Sequence, residues 1–208
     1  MSTLPNVLLL GDSIRMSYQP RVAELLANRA QAIGPEDNCQ YSLYTLSSID
    51  RWIQELGKPE FVHWNNGIHD VGHNPARNPV QIPIEMYAAN LEFILDKLRA
   101  LTPNVIWATS TPVHPDRPFR ETEWSWRNDE IDRYNGVALD LMKSRGVPIN
   151  DLHALVGSDV DLFLSEDQLH LSDAGIRASA EAVADCVLHC IDHDKSNSAF
   201  PGHDETPL

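Results

Sequence analysis

Short apolar runs separated by stretches of helical period constrain this chain more than any other feature. Val7–Leu10, Phe61–Trp64 and Val105–Ala108 are dominated by large apolar side chains at consecutive rather than alternate positions. Runs of that length and kind are strands covered on both faces. Tyr41–Tyr44 and Val147–Ile149 read as a second and a fifth strand. Helical segments fall between them. Pro20 can take the first position of a helix running to about Arg29, with Val22, Leu25 and Leu26 on its apolar face. Ser48–Leu56 reads as a short helix closed by Gly57. Ile84–Leu101 carries a stripe of Tyr87, Leu91, Ile94, Leu95 and Leu98. Asp129–Ser144 is a helix closed by Gly146. Ser172 serves as N-cap of a last helix with Ile176, Val183, Val187, Cys190 and Ile191 inward.

Alternation of strand and helix predicts an α/β fold with a mainly parallel five-stranded sheet and helices on both faces. The 208 residues suit one domain. From Asp192 the sequence turns polar, so the domain is expected to span residues 1–192, with 193–208 as a flexible tail. In such sheets ligands bind at the carboxyl ends of the strands. Ser13, the segment Asn65–Asp70 and the segment Thr109–His114 all follow strands there.

The formal net charge of −14 disfavours phosphate backbones and anionic lipid surfaces, so no nucleic acid and no membrane is expected as partner. No stretch approaches the ~20 apolar residues of a membrane helix. The N-terminus lacks the basic and apolar regions of an export signal, which makes a cytoplasmic location the expectation. Cys39, Cys186 and Cys190 cannot all pair and read as reduced thiols.

Gly11-Asp12-Ser13-Ile14 places a glycine, which permits a tight turn, and then a serine at the mouth of the sheet. Backbone N–H groups at such a turn can face an oxyanion. The same three residue types are also ordinary turn formers. Asp167-Gln168-Leu169-His170 stands near the other end, just before the last helix. A serine is a weak nucleophile until a base takes its proton, and the base needs a third group to orient it. The spacing lets Asp167 reach Nδ1 of His170 and leaves Nε2 for Ser13.

These two blocks resemble the first and last blocks of the SGNH/GDSL hydrolases, and the resemblance runs from about residue 5 to about residue 190. It implies a three-layer α/β/α flavodoxin-like sandwich. It implies ester hydrolysis without a cofactor, with Ser13 as nucleophile, His170 as general base and then acid, and Asp167 orienting His170. The middle blocks differ from the family pattern. Thr45-Leu46-Ser47-Ser48 fills the region where the family has a glycine for the oxyanion hole. In the third block Gly67 matches the family glycine and His69 stands where the family has asparagine. The segment resembles a subgroup with Asn-x-Gly-Leu-His-Asp. The side-chain donor is therefore His69, or alternatively the amide of Asn65 or Asn66. Arg15 either orients substrate or pairs with Asp12 or Asp70.

His63, His69 and His73 match no trusted metal-ligand spacing, and Cys186, His189, Cys190 and His193 read better as a helix stripe than as a site. No metal is expected. The long loop between Pro112 and Asn128 carries Trp124 and Trp126, which either stack on a sugar ring or fold inward. The leading expectation is a serine esterase for short, acetyl-type esters of a carbohydrate or another small polar alcohol. Two rivals stay open: an acyltransferase on the same scaffold, and a non-catalytic sugar- or nucleotide-binding module.

Overall fold

The computed structural model describes residues 4–76 and 80–199. Five parallel strands form one sheet in the order β2-β1-β3-β4-β5, where β1 is Asn6–Leu10, β2 Gln31–Ile33, β3 Phe61–Trp64, β4 Val105–Ala108 and β5 Ile149–Asn150. Successive side chains of a strand point to opposite faces, and the two cores follow that alternation. Leu8, Leu10, Val62, Trp64, Val105 and Trp107 belong to one core. Val7, Leu9, Phe61, Ile106 and Ala108 belong to the other. Trp64 and Trp107 meet edge to face at 4.7 Å in the first, an arrangement that adds to area burial.

The first face is covered by α2 (Ser42–Leu56), α4 (Ile84–Leu101) and α5 (Asn128–Ser144), which bring Trp52, Leu91, Ile94 and Ile131 to the core. The single-turn α3 (Ile68–Val71) follows β3. The second face is covered by α1 (Ser13–Leu26) packed on α8 (Asp173–Ala199), with the short α6 (Leu152–Gly157) and α7 (Val160–Phe163) against α8. Val22 and Leu26 of α1 and Val183, Val187 and Ile191 of α8 are at most 1% exposed. Each such burial contributes about 1.5–3 kcal/mol.

Four expectations change. The first helix begins at Ser13, not Pro20. Asp12 accepts the Ile14 N–H at 2.9 Å, and Ile14, Tyr18, Val22 and Leu26 form one buried i, i+4 stripe that carries the helix through Pro20. The second strand is Gln31–Ile33, an edge strand with no apolar run, while Tyr41–Tyr44 opens α2. The fifth strand pairs through Ile149–Asn150, starting two residues later and ending one later than expected, because Pro148 has no N–H to give a ladder. Finally, α8 continues to Ala199, past the expected domain end at residue 192. Its polar residues from 192 to 194 are exposed helix, not a departure from it. Residues 200–208 of the expected tail lie outside the described residues.

Candidate active site

The carboxyl end of the sheet gathers the loops that build the site. The first is the turn between β1 and α1. Its Asp12 cap fixes the start of the helix, so Ser13 is the first helical residue and its N–H stands at the positive end of the α1 dipole. The last is the turn Ser165–His170 ahead of α8, tied by Ser165 N–H to the His170 carbonyl at 2.7 Å and by Ser172 Oγ accepting the Gly175 N–H at 3.1 Å. The packing of α1 on α8 brings the two together. Ser13 Oγ lies 2.9 Å from His170 Nε2, and His170 Nδ1 lies 2.6 Å from an Asp167 oxygen.

Asp167 is held by more than the imidazole. Its other oxygen accepts the N–H groups of Leu169 and His170 and the Ser165 hydroxyl at 2.8–2.9 Å. Partial burial pushes this carboxyl up, but the hydrogen bonds from His170, Leu169 and Ser165 outweigh it and hold it well below the usual carboxylate range. Asp167 is therefore a fixed negative charge beside His170 at any pH of interest.

A cleft of about 340 Å³ opens over Ser13 and His170. Ile14, Asn38, Ile68, His69, Trp124, Trp126 and Leu169 complete its lining. The long loop between β4 and α5 supplies the two tryptophans. It is pinned by an antiparallel bridge between His73 and Ser125 and by Trp126 Nε1 donating to the Ile68 carbonyl at 2.6 Å. The indoles stack at 6.0 Å, with Trp126 buried and Trp124 37% exposed. Trp126 is folded inward, and both rings line the cleft.

Of the expected donor residues only His69 lines this cleft, half-buried beside Trp124. Asn65 gives its amide to the Ala108 carbonyl at 2.8 Å and joins the ends of β3 and β4. Asn66 accepts from Trp64 Nε1 and donates to the Gln40 carbonyl and Thr45 Oγ1, so its amide is spent within the scaffold. Arg15, 2% exposed, meets neither substrate space nor Asp12 or Asp70. Its guanidinium donates to the carbonyls of Gly11, Pro35 and Asp37 and to Gln19 Oε1. These bonds commit the Asn66 amide and the Arg15 guanidinium to the scaffold, and Asn65 gives it one amide hydrogen. The three histidines considered for a metal diverge: His63 is buried beside Asn150, His73 pairs with Glu130, and His69 faces the cleft.

Asn38 was missed. It reaches the cleft from the loop after β2, where its Oδ1 accepts the Gln40 N–H at 2.8 Å and Gln40 takes a left-handed φ of 51°. Only a correctly placed second strand brings this loop to the site. The turn into α3 is fixed by Gly67, whose φ of 147° and 2.2 Å approach of any Cβ to Ser110 Oγ leave room for glycine alone.

The sequence model of a family described as GDSL-like lipase/acylhydrolase matches residues 9–178. The chain belongs to this family. It is accordingly a carboxylic ester hydrolase, which sets the binding-module reading aside. No curated protein matches the chain. Among solved structures, GDSL-type folds align over most of its length. A lipase/acylhydrolase from Enterococcus faecalis is 21% identical with a TM-score of 0.70, covering 88% of this chain and 94% of that one. The acetyl xylan esterase AlAXEase is 17% identical with a TM-score of 0.71, covering 88% and 99%. Axe2, an acetylxylan esterase from Geobacillus stearothermophilus, is 17% identical with a TM-score of 0.68, covering 90% and 94%. At these identities the likeness concerns the fold. No helix among the described residues is long and apolar enough to cross a membrane.

Proposed function

We propose that this GDSL acylhydrolase removes short, acetyl-type acyl groups from a carbohydrate or another polar alcohol through an acyl-enzyme on Ser13. The observation that carries the reading is the hydrogen-bonded chain Ser13–His170–Asp167 opening onto a cleft walled by Trp124 and Trp126. The bent turn and the charge of Asp167 favour the Nδ1–H tautomer of His170, leaving Nε2 to accept.

In the first half-reaction Ser13 Oγ attacks the ester carbonyl carbon while His170 Nε2 takes its proton. The new oxyanion meets the Ser13 N–H at the helix start, with the His69 ring and the Asn38 amide as side-chain donors. His170 then gives its proton to the leaving alcohol oxygen. In the second half-reaction His170 takes a proton from water, the hydroxide attacks the acyl carbon, and the proton returns to Ser13 Oγ. Asp167 stays ionised and offsets the imidazolium charge in both halves. The two acetylxylan esterases of like fold support the choice of acetyl, and the indole pair supports a ring-shaped alcohol.

Hydrolysis of p-nitrophenyl acetate, butyrate and octanoate by wild type and Ser13→Ala tests the reading. Acetate should be cleaved fastest, and Ser13→Ala should lose at least about a thousandfold in kcat. Equal activity of the two proteins overturns the assignment of Ser13. Octanoate as the best substrate overturns the short-acyl preference. Acyl transfer to added alcohols in preference to water would make the chain a transferase.

A further inference from the structure

Arg117 borders the cleft by its contacts with Trp126 of the lining and with the Asp167 turn. Its Nε donates to the Asp167 carbonyl at 3.3 Å, and its guanidinium carbon lies 5.0 Å from the centre of the Trp126 ring. Trp126 lines the cleft, and Asp167 lies within the turn that carries Leu169 and His170 into it. The loop around it is rich in acids, yet its arginines are partnered unequally. Arg120 pairs with Glu123 at 3.3 Å and Arg127 with Glu130 at 3.7 Å. Among the described residues no carboxylate lies within ion-pair distance of Arg117. Asp167, the nearest acid in its contacts, turns its carboxylate to His170 and shows Arg117 only a carbonyl.

In a chain of net charge −14, a guanidinium at the mouth of the site that no internal acid claims is a specific device. The planar fork of an arginine matches a carboxylate in two parallel hydrogen bonds, and stacking on an indole holds the plane still. A doubly charged phosphate would meet twice the repulsion of the acidic surface, so a single carboxylate is the favoured guest. We propose that Arg117 is a specificity residue that docks a carboxylate on the alcohol part of the substrate, so that the preferred esters are those of acidic sugars and related hydroxy acids. The proposal rests on the esterase reading and deepens it. The sugar ring lies in the cleft along the more exposed Trp124, its carboxylate reaches outward to Arg117, and its acylated hydroxyl points down to Ser13.

The test compares kcat/KM for monoacetylated methyl glucuronoside with that for the neutral monoacetylated methyl glucoside, by acetate release, in wild type, Arg117→Gln and Arg117→Lys. Wild type should favour the acidic ester at least about tenfold, and added salt should shrink that preference. Arg117→Gln should bring the ratio to one or below, and Arg117→Lys should keep part of it, because a point charge without the fork remains. A role confined to tethering the Asp167 turn would slow both esters alike and leave the ratio untouched, which would overturn the proposal. So would a wild-type ratio of one or less. Cleavage of p-nitrophenyl acetate by wild type and its loss in Ser13→Ala, measured alongside, separate the two claims: failure there sinks the esterase reading, whereas success there without an acid preference sinks the role of Arg117 alone.

Discussion

The two carboxylate oxygens of Asp70 lie 2.9 and 3.1 Å from the backbone nitrogen of Ser42, the first residue of α2. The clamp joins the third-block turn to the loop that carries Asn38. Asp70 is fully buried, and burial pushes its carboxyl up to about 7 despite the Ser42 hydrogen bonds. Between about pH 4 and pH 7 the folded chain keeps a proton on Asp70 that the unfolded chain has released. Stability from this group therefore falls as pH rises through that window and levels off above it. His63, pushed down to about 4 by burial, works in the opposite sense: its contribution is lost as pH falls from its ordinary 6.5. The difference between wild type and Asp70→Asn isolates the carboxylate. In urea titrations the variant should gain on wild type as pH rises from 5 to 7, by up to about 1.4 kcal/mol per unit. Parallel curves would contradict the clamp's cost.

Arg15 is a structural cation. Its replacement by Ala strands the carbonyls of Pro35 and Asp37, leaves Gly11 with the Cys39 N–H alone, and should lower stability by roughly 2–5 kcal/mol. Denaturant midpoints check this. A variant of native stability with a raised KM would instead return Arg15 to the substrate.

His69, Asn38 and Asn66 separate by kind of effect. His69→Ala or Asn38→Ala should lower kcat by about tenfold to a thousandfold with little change in KM, as loss of an oxyanion donor does. Asn66→Ala should act on stability first, since its bonds go to Trp64, Gln40 and Thr45. Steady-state kinetics paired with melting curves distinguish them. Unchanged kcat in both His69→Ala and Asn38→Ala would leave main-chain N–H groups as sole donors.

Gly72 has an ordinary extended backbone, so an alanine there meets no strain in φ. Its Cβ would, however, stand 2.9 Å from atoms of both Trp124 and Trp126. Gly72→Ala should therefore displace the indole pair. The expected outcome is a changed KM for sugar acetates, with p-nitrophenyl acetate turnover less affected. Equal changes on both substrates would show that the indoles do not contact the alcohol.

Asp167→Asn removes the charge that offsets imidazolium and can favour the wrong tautomer of His170, so kcat should fall by about 10²–10⁴. Because Asp167 is held below the usual carboxylate range, the acid limb of wild-type kcat/KM should show no separate carboxylate step. A second protonation near pH 4 would refute that.

Much of this was legible in the chain, for physical reasons. β1, β3 and β4 are buried on both faces, so their side chains had to be apolar at successive positions, and α4 had to show a stripe. Ser13, Asp167 and His170 stand in short blocks whose local turns fix their geometry. β2 was illegible because an edge strand of Gln31–Ile33 buries little and needs no apolar pattern. That one misplacement hid Asn38. The start of α1 was hidden by Pro20, although the spacing of Ile14, Tyr18, Val22 and Leu26 announced it. The roles of Asn65, Asn66 and Arg15 depend on long-range partners that no local pattern displays.

The nucleophile heads α1, while its base stands immediately before α8, and the two meet because those helices pack together. During synthesis the serine leaves the ribosome 157 residues ahead of the histidine. A nascent chain that stops before α8 lacks Val183, Val187 and Ile191, which seat that helix on the sheet. The site is thus assembled only after α8 has been made, and a truncation within α8 is expected to silence the enzyme with Ser13, Asp167 and His170 all present.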